Sequence, residues 1–360
     1  MMHTQTGLSA AAGVRLATAN YAGYLAGALI CIAAPALARS RAALRGSLLV
    51  LVATLALMPV STAGAWWWAL RLLAGAASAV VFVIAVHTLL NGPSRKSASL
   101  AGWGFGGVGA GIAISGAAVL VVRLVGDWRS AWFVAAGLAV VLGALAWTLA
   151  PGPAAAPSGV PSRPGGARPV RRLQGWLLAS YSLEGVGYII AGTFLVAAID
   201  QSSPGWVGTG AWVLAGLAAA PSAALWARLG HRFGRPDLLA AALLLQAVGI
   251  ALPAIAAHAV AAGLASAVLF GATFVSVSQL SLAAGNQLGS PRSVAVLTTG
   301  YSVGQILGPI VVTPVLHHGY RPALLLGAAV VMAAAVAAMV LRAGWPTPPP
   351  EPVVVRPEAL

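Results

Sequence analysis

The chain is 360 residues long, 59% apolar and only 7% charged, whereas a soluble domain carries roughly 25% charged side chains. That little charge cannot coat a soluble surface, and the mean hydropathy of +0.90 suits a chain solvated mainly by lipid. The 20 Lys and Arg against 6 Asp and Glu would suggest nucleic acid in a soluble protein, and the single cysteine, Cys31, excludes an intrachain disulfide and a thiolate metal cluster.

A spanning helix needs about 20 residues, so the length allows at most about 15 of them. Apolar stretches of that length bounded by Arg, Pro or Gly fall at 16–37, 46–63, 66–90, 98–122 and 131–150. Residues 151–173, PGPAAAPSGVPSRPGGARPVRRL, are too rich in Pro, Gly and Arg to form a helix or enter hydrocarbon, and read as a solvated linker. Six further spans are predicted at 174–199, 206–227, 238–257, 259–284, 293–316 and 322–341. The expectation is an all-α polytopic membrane protein of 11 transmembrane helices. Its N-terminal bundle (1–150) holds five spans, a linker (151–173) follows, the C-terminal bundle (174–342) holds six, and the tail (343–360) is disordered.

Placing the linker in the cytoplasm puts 15 of the 20 basic residues on that face, as the positive-inside rule demands. The C-terminus is then expected inside and, with an odd number of spans, the N-terminus outside. The net +14 becomes a topological signal and an attraction to anionic lipid; nucleic acid is not an expected partner. The first residues, MMHTQTGLSAAAGVR, are too polar and too weakly basic for a signal peptide.

Two halves joined by a basic linker invite a search for internal repeats. ALARSRAALRG from Ala36 is echoed by LWARLGHRFGR from Leu225, and Gly104, Gly107 and Gly111 by Gly300, Gly304 and Gly308. Further runs stand out: ANYAGYLAGAL from Ala19, Arg71 followed four residues on by Gly75, YSLEGVGYIIAGTFL from Tyr181 and GYSVGQILGP from Gly300. Through these the chain resembles the major facilitator superfamily, in its YbfB/YjiJ-type branch. The resemblance implies a secondary active transporter that moves a small organic solute across the cytoplasmic (inner) membrane by alternating access, as a monomer and without a cofactor. It also implies twelve spans, the first, fourth, seventh and tenth lining a central cavity. The match begins at the family's second helix, and residues 7–13 look like the outer loop after a first one. Two expectations follow: a start assigned too far downstream, or a truncated, non-transporting membrane subunit or remnant.

Of the six acidic residues, Asp127, Asp200, Glu351 and Glu358 fall in predicted outer loops or the tail, and Asp237 is expected to cap a helix start. Glu184 lies ten residues into its span, about 15 Å deep at 1.5 Å per residue. A carboxylate at that depth faces a bundle interior or a watery cavity. Tyr181 and Tyr188 share its helical face. Two readings stand: a protonatable group coupling proton movement to transport, or a neutral structural Glu. Arg71, the other charge inside a span, is placed by the resemblance on a cavity-lining helix. It is expected to bind an anionic substrate group or tune a carboxylate across the cavity; the alternative is an Arg that snorkels and fixes helix depth.

Asn20 with Tyr24, and Thr273 with Ser276, are weaker cavity-lining candidates, and interhelical hydrogen bonding is the better reading of each. Pairs such as Gly23 with Gly27, Gly102 with Gly106 and Gly107 with Gly111 read as helix-packing devices. Gly102, Gly104 and Gly107 fit a dinucleotide-binding pattern only by accident, since no strand precedes them. The WARLGHRFGR stretch resembles the superfamily's cytoplasmic gating loop without its usual Asp, so Arg228, Arg232 and Arg235 are gating candidates through the resemblance. An intramembrane enzyme would need paired acids, a Ser with a His, or metal-spaced ligands, and only one acid is buried. His317 and His318 lack such spacing.

Overall fold

The computed structural model describes residues 2–90, 97–149, 167–202, 207–256, 259–288 and 293–345. Most of the predicted linker and nearly all of the predicted tail lie outside them. The described chain forms α1 (Met2–Thr6), α2 (Ala10–Ala33), α3 (Arg41–Leu57), α4 (Gly64–Leu90), α5 (Ser97–Val125), α6 (Trp128–Ala146), α7 (Ala167–Ser202), α8 (Val207–Leu229), α9 (Arg235–Ile255), α10 (Val260–Gln287), α11 (Ser293–Val312) and α12 (Tyr320–Ala343). Among the described residues, eleven helices, α2 to α12, are long and apolar enough to cross a membrane. The end at which α6 finishes and α7 starts is called the linker end below, and the opposite one the far end.

Local chemistry sets the boundaries. Ser9, Ser40 and Asp127 stand in extended backbone and accept the N–H groups of Ala12, Ala43 and Ser130, opening α2, α3 and α6. Three expectations are corrected. Residues 10–13, read as part of a loop, already belong to α2. Residues 167–173, assigned to a non-helical linker, form the first turns of α7; Pro169 falls in the opening turn, where no backbone N–H is required. Asp237 does not cap α9, whose N-cap is Gly234; it sits in the first turn and forms an ion pair with Arg342 at the end of α12.

The Asp127 cap carries a pH signature. Two hydrogen bonds from Ser130, backbone and hydroxyl, hold its carboxyl below the usual carboxylate range. A depressed pKa contributes stability above the unfolded value and loses it as pH falls through the folded one. The α6 cap is therefore expected to weaken only below about pH 4. Melting curves of Asp127→Ala and wild type should differ at pH 7, and the difference should shrink only as the pH is taken below about 4.

Packing repeats with a shift of six helices. α2 rests on α4 as α8 rests on α10, and α3 touches α4 and α6 as α9 touches α10 and α12. The contacts between the two sets run α5 against α8 and α2 against α11. Small residues permit close approach: a Cβ at Gly106 would meet Ala220 O at 2.2 Å, and one at Gly216 would meet Ala113 N at 2.4 Å. At the far end of this seam Arg123 Nη1 donates to Thr209 Oγ1 at 2.7 Å.

α7 packs between α11 and α12, and among the described residues no helix takes the equivalent place between α5 and α6. The glycines record the difference. A Cβ on Gly304 would lie 2.3 Å from Ser182 O and one on Gly308 2.2 Å from Ile189 Cγ2, both on α7, whereas Gly107 and Gly111 have nothing within 4 Å. The packing role expected of Gly107 and Gly111 is thus corrected, while Gly23 and Gly27 do abut α4, at Leu72 O (1.9 Å) and Ala76 O (2.4 Å). Gly304→Ala is expected to destabilise by about 1–3 kcal/mol through overpacking and Gly111→Ala to be nearly neutral, measured as midpoints of thermal aggregation in one detergent.

Candidate functional site

The site is built on the middle of α7. Ser180, Tyr181 and Glu184 are buried there, and Glu184 stands near the centre of the apolar stretch Val170–Gln201. α7 is fixed from two sides. Ser180 Oγ donates to Ala334 O of α12 at 2.9 Å, and Gly300, Gly304 and Gly308 bring α11 against Leu178, Ser182 and Ile189. These contacts leave the Tyr181, Glu184, Tyr188 face turned toward α9, α10 and α11.

Glu184 is fully buried, at 0% exposure. Gln246 Nε2 of α9 donates to its Oε1 at 3.1 Å; its Oε2 and the Oε1 of Gln246 are buried without a hydrogen-bond partner among the described residues. Aromatic rings wall the carboxyl. Tyr181 stacks on Tyr301 of α11 with centroids 4.6 Å apart, and Tyr188 stacks on Phe274 of α10 at 5.4 Å and lies 5.8 Å from Tyr301. Tyr181, Tyr188 and Tyr301 all interact electrostatically with Glu184. The set reaches the first half of the chain, since Tyr24 of α2 neighbours Tyr188 and Tyr21 lies within hydrogen-bonding reach of Thr193. Such a surrounding stabilises a neutral carboxyl far better than a charged one.

Arg71 occupies a second, separate place. Its guanidinium lies over the Trp132 ring of α6, 5.0 Å from the centroid, beside a cluster of Met58, Trp67, Leu70 and Trp128. Trp67 and Trp128 meet edge to face at 5.8 Å. Nε and Nη2 of Arg71 are buried and unbonded among the described residues. The stacking explains how a cation is tolerated here, but it leaves two N–H directions open.

The other candidates divide. Tyr181, Tyr188 and Tyr24 join the Glu184 surroundings. Thr273 Oγ1 donates to the carbonyls of Leu269 and Phe270 in its own helix, and Ser276 Oγ donates to Ser222 Oγ of α8 at 3.1 Å. Both hydroxyls are spent inside the protein. Asn20 meets Gly75 through its backbone oxygen. Arg228 and Arg232 are exposed, and Arg235 donates to Ala283 O at 2.9 Å and Gln287 Oε1 at 3.2 Å, which ties α9 to α10 within one half. Gln246 and Tyr301 were missed in the sequence. Gln246 is an uncharged polar residue in the apolar run ALLLQAVGI, and Tyr301 follows Gly300 in GYSVGQILGP; nothing local distinguishes either from other tolerated polar residues of the spans.

The comparisons with known proteins agree with this architecture. The family model described as "Uncharacterised MFS-type transporter YbfB" matches residues 1–339. Among solved structures, the E. coli fucose:proton symporter superposes with a TM-score of 0.60 at 16% identity, covering 92% of this chain and 90% of that one. At this identity the likeness concerns the fold. No curated protein matches. With the family model spanning nearly the whole chain, this multi-pass membrane protein belongs to the YbfB-type transporters of the major facilitator superfamily.

Proposed function

We propose that the protein is a proton-coupled secondary transporter of a small organic solute, working by alternating access in the cytoplasmic membrane with its C-terminus inside. The observation that carries the reading is Glu184, a carboxyl buried at 0% exposure in mid-helix with a neutral hydrogen-bond partner and, among the described residues, no cation acting on it. A structural acid in hydrocarbon is normally paired with a cation, and one held with neutral partners is suited to binding and releasing a proton. The similar fucose symporter is proton-coupled by its own description, which supports the reading by analogy of fold.

In this reading the five spanning helices before residue 151 and the six after it rock against each other along the α5/α8 and α2/α11 contacts. The basic residues at the linker end hold that face in the cytoplasm. Arg71 anchors the solute: two buried, unbonded N–H directions favour a carboxylate or a similarly planar anionic group. Arg228 and Arg232 work at the cytoplasmic gate. The chain acts as a monomer and takes no cofactor.

The test is transport in cells that express the protein or an empty vector, with a panel of radiolabelled organic acids and neutral analogues. The proposal expects expression-dependent movement of at least one solute that collapses when a protonophore removes the proton gradient. Transport that persists undiminished with protonophore would overturn the coupling.

A further inference from the structure

Two buried oxygens in the centre of the molecule lack a partner, and they belong to the same two side chains. Glu184 Oε2 and Gln246 Oε1 are both without a hydrogen bond among the described residues, while the remaining polar atoms of these groups meet, Gln246 Nε2 donating to Glu184 Oε1 at 3.1 Å. Both residues are at 0% exposure, so bulk solvent does not reach these atoms. Leaving a buried acceptor unsatisfied is unfavourable, and here two lie in one site.

One proton settles both. A carboxylic acid and a primary amide each carry one donor and one acceptor on adjacent atoms. Placed edge to edge they form a closed ring of two hydrogen bonds, amide N–H to carboxyl C=O and carboxyl O–H to amide C=O. The first of these bonds is present. The second needs only a hydrogen on Glu184 Oε2. We propose that Gln246 is the positioning residue for the transported proton: it forms a two-point pair with protonated Glu184 and loses one of the two bonds when the proton leaves. This inference rests on the reading of Glu184 as the proton site and adds to it the partner that senses the proton.

The consequence is mechanical. Glu184 stands on α7 and Gln246 on α9, helices that also share α12 and α10 as neighbours. With the acid protonated, the two helices are pinned by both bonds. With it ionised, Glu184 Oε2 has no hydrogen to give to Gln246 Oε1, and one of the two bonds is lost. Proton release thus loosens α7 from α9 inside the second bundle, on the helix whose Tyr188 neighbours Tyr24 of α2 in the first. The groups facing Glu184 do not substitute for Gln246. They are Tyr181 and Tyr188 on α7 and Tyr301 on α11, with Ser278 of α10 beside Tyr181. Among the described residues of α8, α9, α10 and α12, none that is charged acts on Glu184.

Infrared difference spectroscopy of the full chain in phospholipid vesicles, titrated with pH and without any solute, tests the pair. The carboxylic acid C=O band of Glu184 is identified by its loss in Glu184→Gln. It is expected at the low frequency of a doubly hydrogen-bonded acid in wild type and shifted upward in Gln246→Met, which keeps the length of the side chain. Should Gln246→Met not fold, wild type labelled with carbon-13 at the glutamine side-chain carbonyls gives the same answer. One labelled amide band must then move with the midpoint of the Glu184 band. An acid band at the same frequency in Gln246→Met, or labelled amides silent through the titration, overturns the pair. If these spectra appear as expected while Glu184→Gln still carries out proton-coupled transport, the pair stands and the coupling reading falls.

Discussion

Glu184→Gln is expected to abolish proton-driven accumulation while leaving solute exchange intact. Glutamine has the shape of a protonated glutamate and can form the same two hydrogen bonds to Gln246, so α7 and α9 stay joined. What disappears is the ability to release the proton. In wild-type vesicles a pH difference of one unit should support about tenfold accumulation for one proton per solute, equivalent to about 1.4 kcal/mol. In Glu184→Gln the same gradient should give only equilibration, while counterflow, which needs no net proton movement, continues. A coupled gradient in this variant would show that the proton is carried elsewhere. Glu184→Leu is the harsher control: it leaves Gln246 without its acceptor and is expected to lower stability as well as activity.

Arg71→Ala is the second large effect. The guanidinium is held over Trp132 with Nε and Nη2 buried and unbonded, and charge-assisted hydrogen bonds are worth about 1.5–3 kcal/mol each. Removing them should raise KM for an anionic solute by about 10–100-fold with a much smaller change for a neutral analogue. Arg71→Lys keeps the charge but loses the planar fork and the stacking, so it should fall between wild type and alanine. Fluorescence of the adjacent tryptophans provides an independent readout, since a solute bound at Arg71 sits against Trp132. Equal losses for charged and neutral solutes, with a lowered melting temperature, would mark Arg71 as an anchor of helix depth instead.

Much of the fold was legible because one signal dominates it. A span in lipid is a run of apolar residues, and Arg39 and Arg228 punctuate such runs near the ends where helices turn. The boundaries were less legible. Pro169 looked like a helix breaker, yet in the first turn of a helix it breaks nothing. Asp237 looked like a cap, but its carboxylate found Arg342, more than a hundred residues away in the chain, and no local pattern reveals such a partner.

The site divides in the same manner. Glu184 was visible from its own depth, because a charge in an apolar helix is conspicuous alone. Its partner was not, because Gln246 differs from many tolerated polar residues only in what it touches. Glu184 and Arg71, the two charges inside predicted spans, are held apart from each other: Glu184 meets Gln246 and Arg71 lies over Trp132. Ser276 was read correctly as a candidate for interhelical bonding, which it performs with Ser222. Gly107 and Gly304 look equivalent in sequence and differ in structure, because packing depends on the facing helix as much as on the glycine.

The most direct test of the central claim is proton movement itself. Wild-type vesicles in lightly buffered medium, given a transported solute, should change the external pH at a rate in fixed proportion to solute flux. In Glu184→Gln the solute should still exchange with no accompanying pH change. A pH change of undiminished proportion in Glu184→Gln would contradict the assignment of Glu184 as the coupling residue.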